Sequence, residues 1–204
     1  MIMLPRLYAI LDRSCFRDRE EMVAGARELA EGGVTLLQYR NKPGSARGIL
    51  EDAQELKRVL PASVQLIMND RADLCLVAGC DGLHVGQEDL SPESARKIIG
   101  SGRWLGVSTH NPEQVREADQ TSADYIAIGP VFATSSKTNP DPVVGLDGVT
   151  VARSLTRKPL VAIGGVTRPN ARSVIEAGAD SVAVISDLAH DPKKSAEEFL
   201  RVLG

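Results

Sequence analysis

Gln38, Arg40 and Lys42 stand at alternate positions of one apolar run, VTLLQYR (34–40), and its extension Asn41-Lys42. Side chains alternate along a strand, so these three share one face and Tyr39 takes the other. Two cations on a buried face are costly unless paired, so a buried ion pair or a solvated strand end is one reading. An anion site is the other, because Arg offers a two-pronged fork to phosphate and Lys a point charge. Asn69-Asp70-Arg71 and Gly86-Gln87-Glu88-Asp89 close the next two runs. Asp70 and Asp89 therefore belong to neighbouring strand ends and can converge. Two carboxylates beside cations suit a Mg²⁺ shared with a polyphosphate, since that ion takes one or two protein carboxylates and fills its shell with water and phosphate oxygens. Each Asp also precedes a helical start, and helix capping is the competing explanation.

Further along, Ser108 ends a strand with the parity for a substrate hydrogen bond. His110 follows with no acidic neighbour to orient it, so capping or packing suits it better than general-base work. His84 lies within a strand, and His190 on a surface turn. Thr134-Ser135-Ser136-Lys137 joins hydroxyls to a cation, which is phosphate-binding chemistry or simply loop composition. Gly164-Gly165 allows close approach of backbone to an anion ahead of a helix near Arg168. The residues thus fall into two anion sites, one with metal and one without.

These groups need elements to hold them. Strand-length runs cover 6–11, 34–40, 64–68, 81–85, 103–108, 124–129, 159–164 and 181–185. Segments of helical period lie between them, the first ended by Gly32-Gly33 and the fourth opened by Ser91-Pro92. Eight strands alternating with eight helices imply parallel strands with helical crossovers, an α/β fold. The expectation is a single-domain (β/α)8 TIM barrel over 1–204, with catalytic groups at the C-terminal strand ends. The competing open sheet lacks its glycine fingerprint, because the first strand runs into Leu11-Asp12-Arg13-Ser14.

Composition narrows the function. The chain has 204 residues and net charge −3, which disfavours a nucleic-acid partner. Aromatics are 3%, too few for binding by base stacking. No apolar run approaches the length of a membrane span, and MIMLPRLYAILDR has no basic leader, so neither membrane nor signal peptide is expected. Cys15, Cys75 and Cys80 form no ligand-spaced set and read as reduced thiols of a cytoplasmic protein. The oligomeric state is open, with a homodimer one option.

Together, QYRNK, NDRADL, DGLHVGQEDL, GVSTH, DYIAIGPVFATSSK, AIGGV-TRPN and AGADSVAVIS resemble the thiamine-phosphate synthase family from first strand to last. The resemblance implies a (β/α)8 barrel. It would join 4-amino-2-methyl-5-hydroxymethylpyrimidine diphosphate to a thiazole phosphate, releasing pyrophosphate, with one Mg²⁺ per active site. Gln38, Tyr39, Arg40, Asn41, Lys42, Asn69, Ser108 and Lys137 would hold the pyrimidine diphosphate, with Arg40, Lys42, Ser108 and Lys137 catalytic. Asp70 and Asp89 would hold the metal. Thr134, Ser135, Ser136, Gly165, Ile185 and Ser186 would take the thiazole phosphate. Two departures stand out: Ser136 replaces the family's usual Thr, and Asn41 an acidic residue. A thiazole tautomerase of the same fold, similar to this chain in strands 6 to 8, is the alternative; the resemblance implies a proton-transfer enzyme with His at the place where this chain has Pro130. A non-catalytic thiazole or thiamine-phosphate binder would have no use for both carboxylates. Which thiazole isomer is preferred, and whether loop 135–143 closes over substrate, is left open; closure is expected, because the loop carries Lys137 and hydroxyls.

Overall fold

Strict alternation of inward and outward side chains decides the architecture. The computed structural model describes residues 2–134 and 141–204. Its strands are β1 (Leu7–Asp12), β2 (Leu36–Arg40), β3 (Gln65–Asn69), β4 (Gly82–Val85), β5 (Trp104–Thr109), β6 (Tyr125–Ile128), β7 (Leu160–Ile163) and β8 (Ser181–Val184). The helices are α1 (Arg19–Glu31), α2 (Ala46–Val59), α3 (Ala72–Ala78), α4 (Pro92–Ile99), α5 (Pro112–Asp119), α6 (Gly145–Leu155), α7 (Arg168–Glu176) and α8 (Pro192–Leu203). Each strand pairs in parallel with the next, and β8 closes on β1 through Leu7↔Val182 and Ala9↔Val184. The expected barrel is therefore present, and closure rules out the open sheet.

Alternation creates two apolar cores. Tyr8, Ile10, Leu36, Ile67, Tyr125, Ala127, Val161 and Ala183 point inward and fill the barrel. Residues of the opposite parity, Leu7, Ala9, Leu37, Tyr39, Leu66, Met68, Leu83, Val85, Ile126 and Val182, point outward and pack beneath the helices. Burial of both sets is the main driving force, at roughly 25 cal/mol per Å² of apolar surface removed from water. Cys75 and Cys80 lie buried in the outer core, as small apolar residues would.

Local chemistry sets the helix ends. Ser91 accepts from the N–H of Ser94 at 3.3 Å, with Pro92 opening α4. Asp18, Ser45 and Asn111 cap α1, α2 and α5 in the same way. α1 stops because Gly33 adopts φ +95°, so Gly33 N–H reaches Ala30 O and Val34 N–H reaches Leu29 O.

The N-terminal rim of the barrel carries a repeated clamp. Asp81, Asp124 and Asp180 each precede a strand and accept the N–H of the strand before, from Leu66, Leu105 and Leu160, all at 2.8 Å. Each also meets a cation from a helix: Lys57 of α2, Arg96 of α4 and Arg153 of α6. This rim is built for stability and the opposite one for chemistry. Asp124→Ala leaves the N–H of fully buried Leu105 without its partner, which costs about 1–3 kcal/mol. Thermal unfolding should fall by several degrees while KM for any ligand at the far rim stays unchanged.

Candidate active site

The C-terminal strand ends gather the polar residues. Gln38 and Arg40 share the inward parity of Leu36, and Asn69 that of Ile67. Tyr39 turns outward: its hydroxyl donates to Asp52 of α2 at 2.6 Å and accepts from Asn41 at 3.1 Å. Burial, then the bond to Asp52, pushes the Tyr39 hydroxyl well above its ordinary pKa. The structure thus separates Tyr39 and Asn41 from the inward set. Their polar groups tie β2 to α2 because an outward phenol under a helix needs a buried partner.

Carboxylates balance the two cations of β2. Arg40 pairs with Asp12, a buried residue at the end of β1. The other Asp12 oxygen accepts both the N–H (2.9 Å) and the hydroxyl (2.6 Å) of Ser14. Lys42, half exposed, pairs with Asp70. Asp70 leaves the sheet just after β3, its N–H still bonded to His84 O at 2.8 Å. It does so at φ +61°, a left-handed conformation that costs a non-glycine residue about 1 kcal/mol or more. Asp89 meets the Asp70 carboxyl. Burial foremost raises the Asp70 pKa; Lys42 opposes the rise and Asp89 adds to it. Asp89 also accepts the N–H of Gly86 at 2.8 Å.

Neither carboxylate caps a helix. Arg71 occupies the cap position of α3 without a side-chain bond, and Ser91 caps α4. Two convergent carboxylates flanked by a cation suit a magnesium-type ion with oxygen ligands. They do not suit zinc, which takes three or four protein ligands. Among the described residues, no cluster of three or more His, Cys, Asp and Glu could hold a metal. The Cys75 thiol is engaged with the Gly82 carbonyl at 3.2 Å.

Ser108 sits at the end of β5 with its hydroxyl 2.9 Å from His84 Nε2. His84 is inside the barrel, where burial pushes its pKa down to about 4, so it is neutral near pH 7. His110 lies elsewhere: Nδ1 is 2.6 Å from Gly129 O, and Nε2 is 3.5 Å from Asp141. An acidic partner exists after all, but it comes from the far side of the β6 loop. His190 is exposed on its turn.

The second group lies across the rim. Gly164 and Gly165 both have positive φ, at +97° and +65°. A Cβ on Gly165 would fall 2.6 Å from Ala133 O and 2.7 Å from Phe132 Cβ. The clearance thus serves the chain after β6, which runs alongside through Phe132 N–H to Gly164 O at 2.9 Å. A Gly165→Val change would disturb that packing as well as any ligand contact. Ile185 packs on the inner core at the end of β8, and exposed Ser186 opens a 3-10 turn, Ser186–Leu188. Thr134 is described and half-buried. Ser135, Ser136 and Lys137 lie outside the described residues, as does most of loop 135–143.

Sequence reading passed over four residues of this region: Asp12, Tyr8, His84 and Tyr125. Asp12 was within reach of the rule used for the others, being a polar strand-end residue with the inward parity of Tyr8 and Ile10. The rest lie within strands ahead of their C-terminal ends, where aromatic and His residues read as core.

Comparisons with known proteins show the family and the fold. The sequence model described as thiamine monophosphate synthase matches residues 7–188. Thiamine-phosphate synthase of Koribacter versatilis is 62% identical over 203 residues, 98% of this chain and 96% of its own. That of Chloroflexus aurantiacus is 41% identical over 200 residues, 97% of this chain and 92% of its own. Among solved structures, thiamine phosphate pyrophosphorylase from Pyrococcus furiosus superimposes with a TM-score of 0.86 at 32% identity, covering 97% of this chain and 95% of that one. The chain belongs to the thiamine monophosphate synthase family.

Proposed function

We propose that this chain is a thiamine-phosphate synthase. It would couple the aminopyrimidine diphosphate to the thiazole phosphate and release pyrophosphate. The observation that carries the reading is the meeting of Lys42, Asp70 and Asp89 at one side of the catalytic rim, with the Arg40–Asp12 pair at the adjoining strand ends. That side suits a diphosphate and its ion. The Gly165, Ile185 and Ser186 side, with Thr134, Ser135 and Ser136 of the β6 loop, suits a monophosphate. The substrates are small and phosphorylated, and no described helix is long and apolar enough to cross a membrane. Free thiols at Cys15, Cys75 and Cys80 fit a cytoplasmic setting.

Asp70 and Asp89 would hold Mg²⁺, which supplies charge neutralisation at the leaving diphosphate. Arg40 and Lys42 add protein cations to the same oxygens, and Lys137 would add a third from the loop. Their carboxylate partners, Asp12 among them, keep both side chains aimed into the site until a diphosphate competes for them. Gln38, Asn69 and Ser108 orient the pyrimidine ring. The bond from the pyrimidine methylene carbon to the diphosphate oxygen breaks, and the electron pair leaves with pyrophosphate. The methylene carbon, its positive charge shared with the ring amino group, then accepts the lone pair of the thiazole nitrogen. No protein nucleophile is required, and much of the rate comes from holding two substrates in line. A tautomerase would need a proton-transfer group at the start of the β6 loop, where this chain has Pro130.

Purified protein with both substrates and Mg²⁺ should form thiamine phosphate, and EDTA should abolish it. Folded protein that forms none would overturn the reading. Asp70→Asn should cut turnover by roughly two orders of magnitude or more. It should leave the melting temperature in EDTA nearly unchanged, because Asn tolerates positive φ and the lost repulsion from Asp89 offsets the lost pair with half-exposed Lys42. Full turnover in this variant would remove Asp70 from the site.

A further inference from the structure

The barrel interior holds a continuous polar chain. Gln38 Nε2 donates to Tyr8 OH at 2.8 Å. Tyr8 OH meets Tyr125 OH at 2.9 Å, spanning the barrel from β1 to β6. Tyr125 OH meets His84 Nδ1 at 3.1 Å, and His84 Nε2 meets Ser108 Oγ at 2.9 Å. Gln38, Tyr8, Tyr125 and His84 are buried, and the chain runs from Gln38, two residues before the end of β2, to half-buried Ser108 beside the end of β5. The backbone makes room for it: a Cβ on Gly106 would lie 2.1 Å from Tyr125 Cζ. An apolar filling would serve packing alone at less desolvation cost, so the chain needs another reason.

We infer that Tyr8, Tyr125 and His84 are positioning residues whose hydrogen bonds all run in one direction, so that Gln38 and Ser108 present linked, opposite polar faces to the substrate. Each hydroxyl has one hydrogen, and an imidazole with one ring proton has one donor. Gln38 donates to Tyr8, so the Tyr8 hydrogen goes to Tyr125 and the Tyr125 hydrogen to His84 Nδ1. The ring proton is then on Nε2 and goes to Ser108. The Ser108 hydrogen is left over for a substrate acceptor. At the other end, the Gln38 carbonyl oxygen and second N–H are left over. That pair matches an aminopyrimidine edge, which offers an amino donor beside a ring-nitrogen acceptor. Turning the Gln38 amide over would reverse every link and leave Ser108 with lone pairs only. The ligand assignment rests on the function proposed above; the directionality does not.

Two readouts keep these apart. In ¹⁵N-histidine spectra of the ligand-free protein, the His84 ring, assigned by its loss in His84→Gln, should be a single Nε2–H tautomer. Gln38→Leu, which removes the group that sets the direction, should turn it into a mixture. A mixture in the parent protein, an Nδ1–H ring, or no response to Gln38→Leu would each overturn the linkage, whatever the enzyme catalyses. In the coupling assay, Tyr125→Phe and Tyr8→Phe should each raise KM for the pyrimidine diphosphate roughly ten-fold, the worth of one hydrogen bond. KM for the thiazole phosphate should barely move, and the melting temperature should fall by a few degrees, because each change leaves a buried partner unpaired. Unchanged kinetics, or equal losses for both substrates, would reduce the chain to packing. A parent protein without coupling activity would sink the functional reading and leave the spectra to decide the chain.

Discussion

A barrel of eight short strands encloses only enough space for side chains. That width governs everything else in this protein. Residues of one parity must fill it, and any polar group among them must find its partner on another strand. Ile, Val, Ala and Leu fill much of the interior around Tyr8 and Tyr125. Toward the catalytic rim the filling turns polar through Gln38, Arg40, Asn69, His84 and Ser108, and these cannot be satisfied by water alone. Among the described residues no buried side-chain nitrogen or oxygen is left without a partner. The chemistry at the rim therefore stands on a polar layer whose members hold one another in place.

The two rims show how the same side chains serve different ends. At the N-terminal rim, Asp81, Asp124 and Asp180 accept backbone N–H groups and meet cations, and all their capacity goes into tying strand to strand. At the C-terminal rim, Asp70 stands in a strained backbone conformation beside a second carboxylate, an arrangement that stability alone would not select. The Asp12–Arg40 and Lys42–Asp70 pairs aim cations into a site while limiting the cost of carrying them there.

The fold was legible because its signal is local and repeated. Strand-length apolar runs alternate with helical periods, and Ser91-Pro92 and Gly33 mark helix ends by chemistry that needs no distant partner. Strand parity alone also separated Gln38 and Arg40 from Tyr39, although family resemblance had grouped Tyr39 and Asn41 with them. The polar chain was not legible. Tyr8 and Tyr125 are 117 residues apart, and each reads as core until closure of the barrel brings their hydroxyls to 2.9 Å. His110 lacked an acidic neighbour in sequence, and Asp141, 31 positions on, meets it only in the folded chain. The roles of Ser135, Ser136 and Lys137 rest on resemblance.

The central claim is that diphosphate and monophosphate occupy opposite sides of one rim, with the ion on the diphosphate side. Calorimetric titration of inorganic pyrophosphate into the protein, with and without Mg²⁺, tests it most directly. Binding should require Mg²⁺, weaken strongly in Arg40→Ala and Asp89→Asn, and be indifferent to Ser186→Ala. Pyrophosphate binding that ignores Mg²⁺ and Arg40 but disappears with Ser186→Ala would contradict the account.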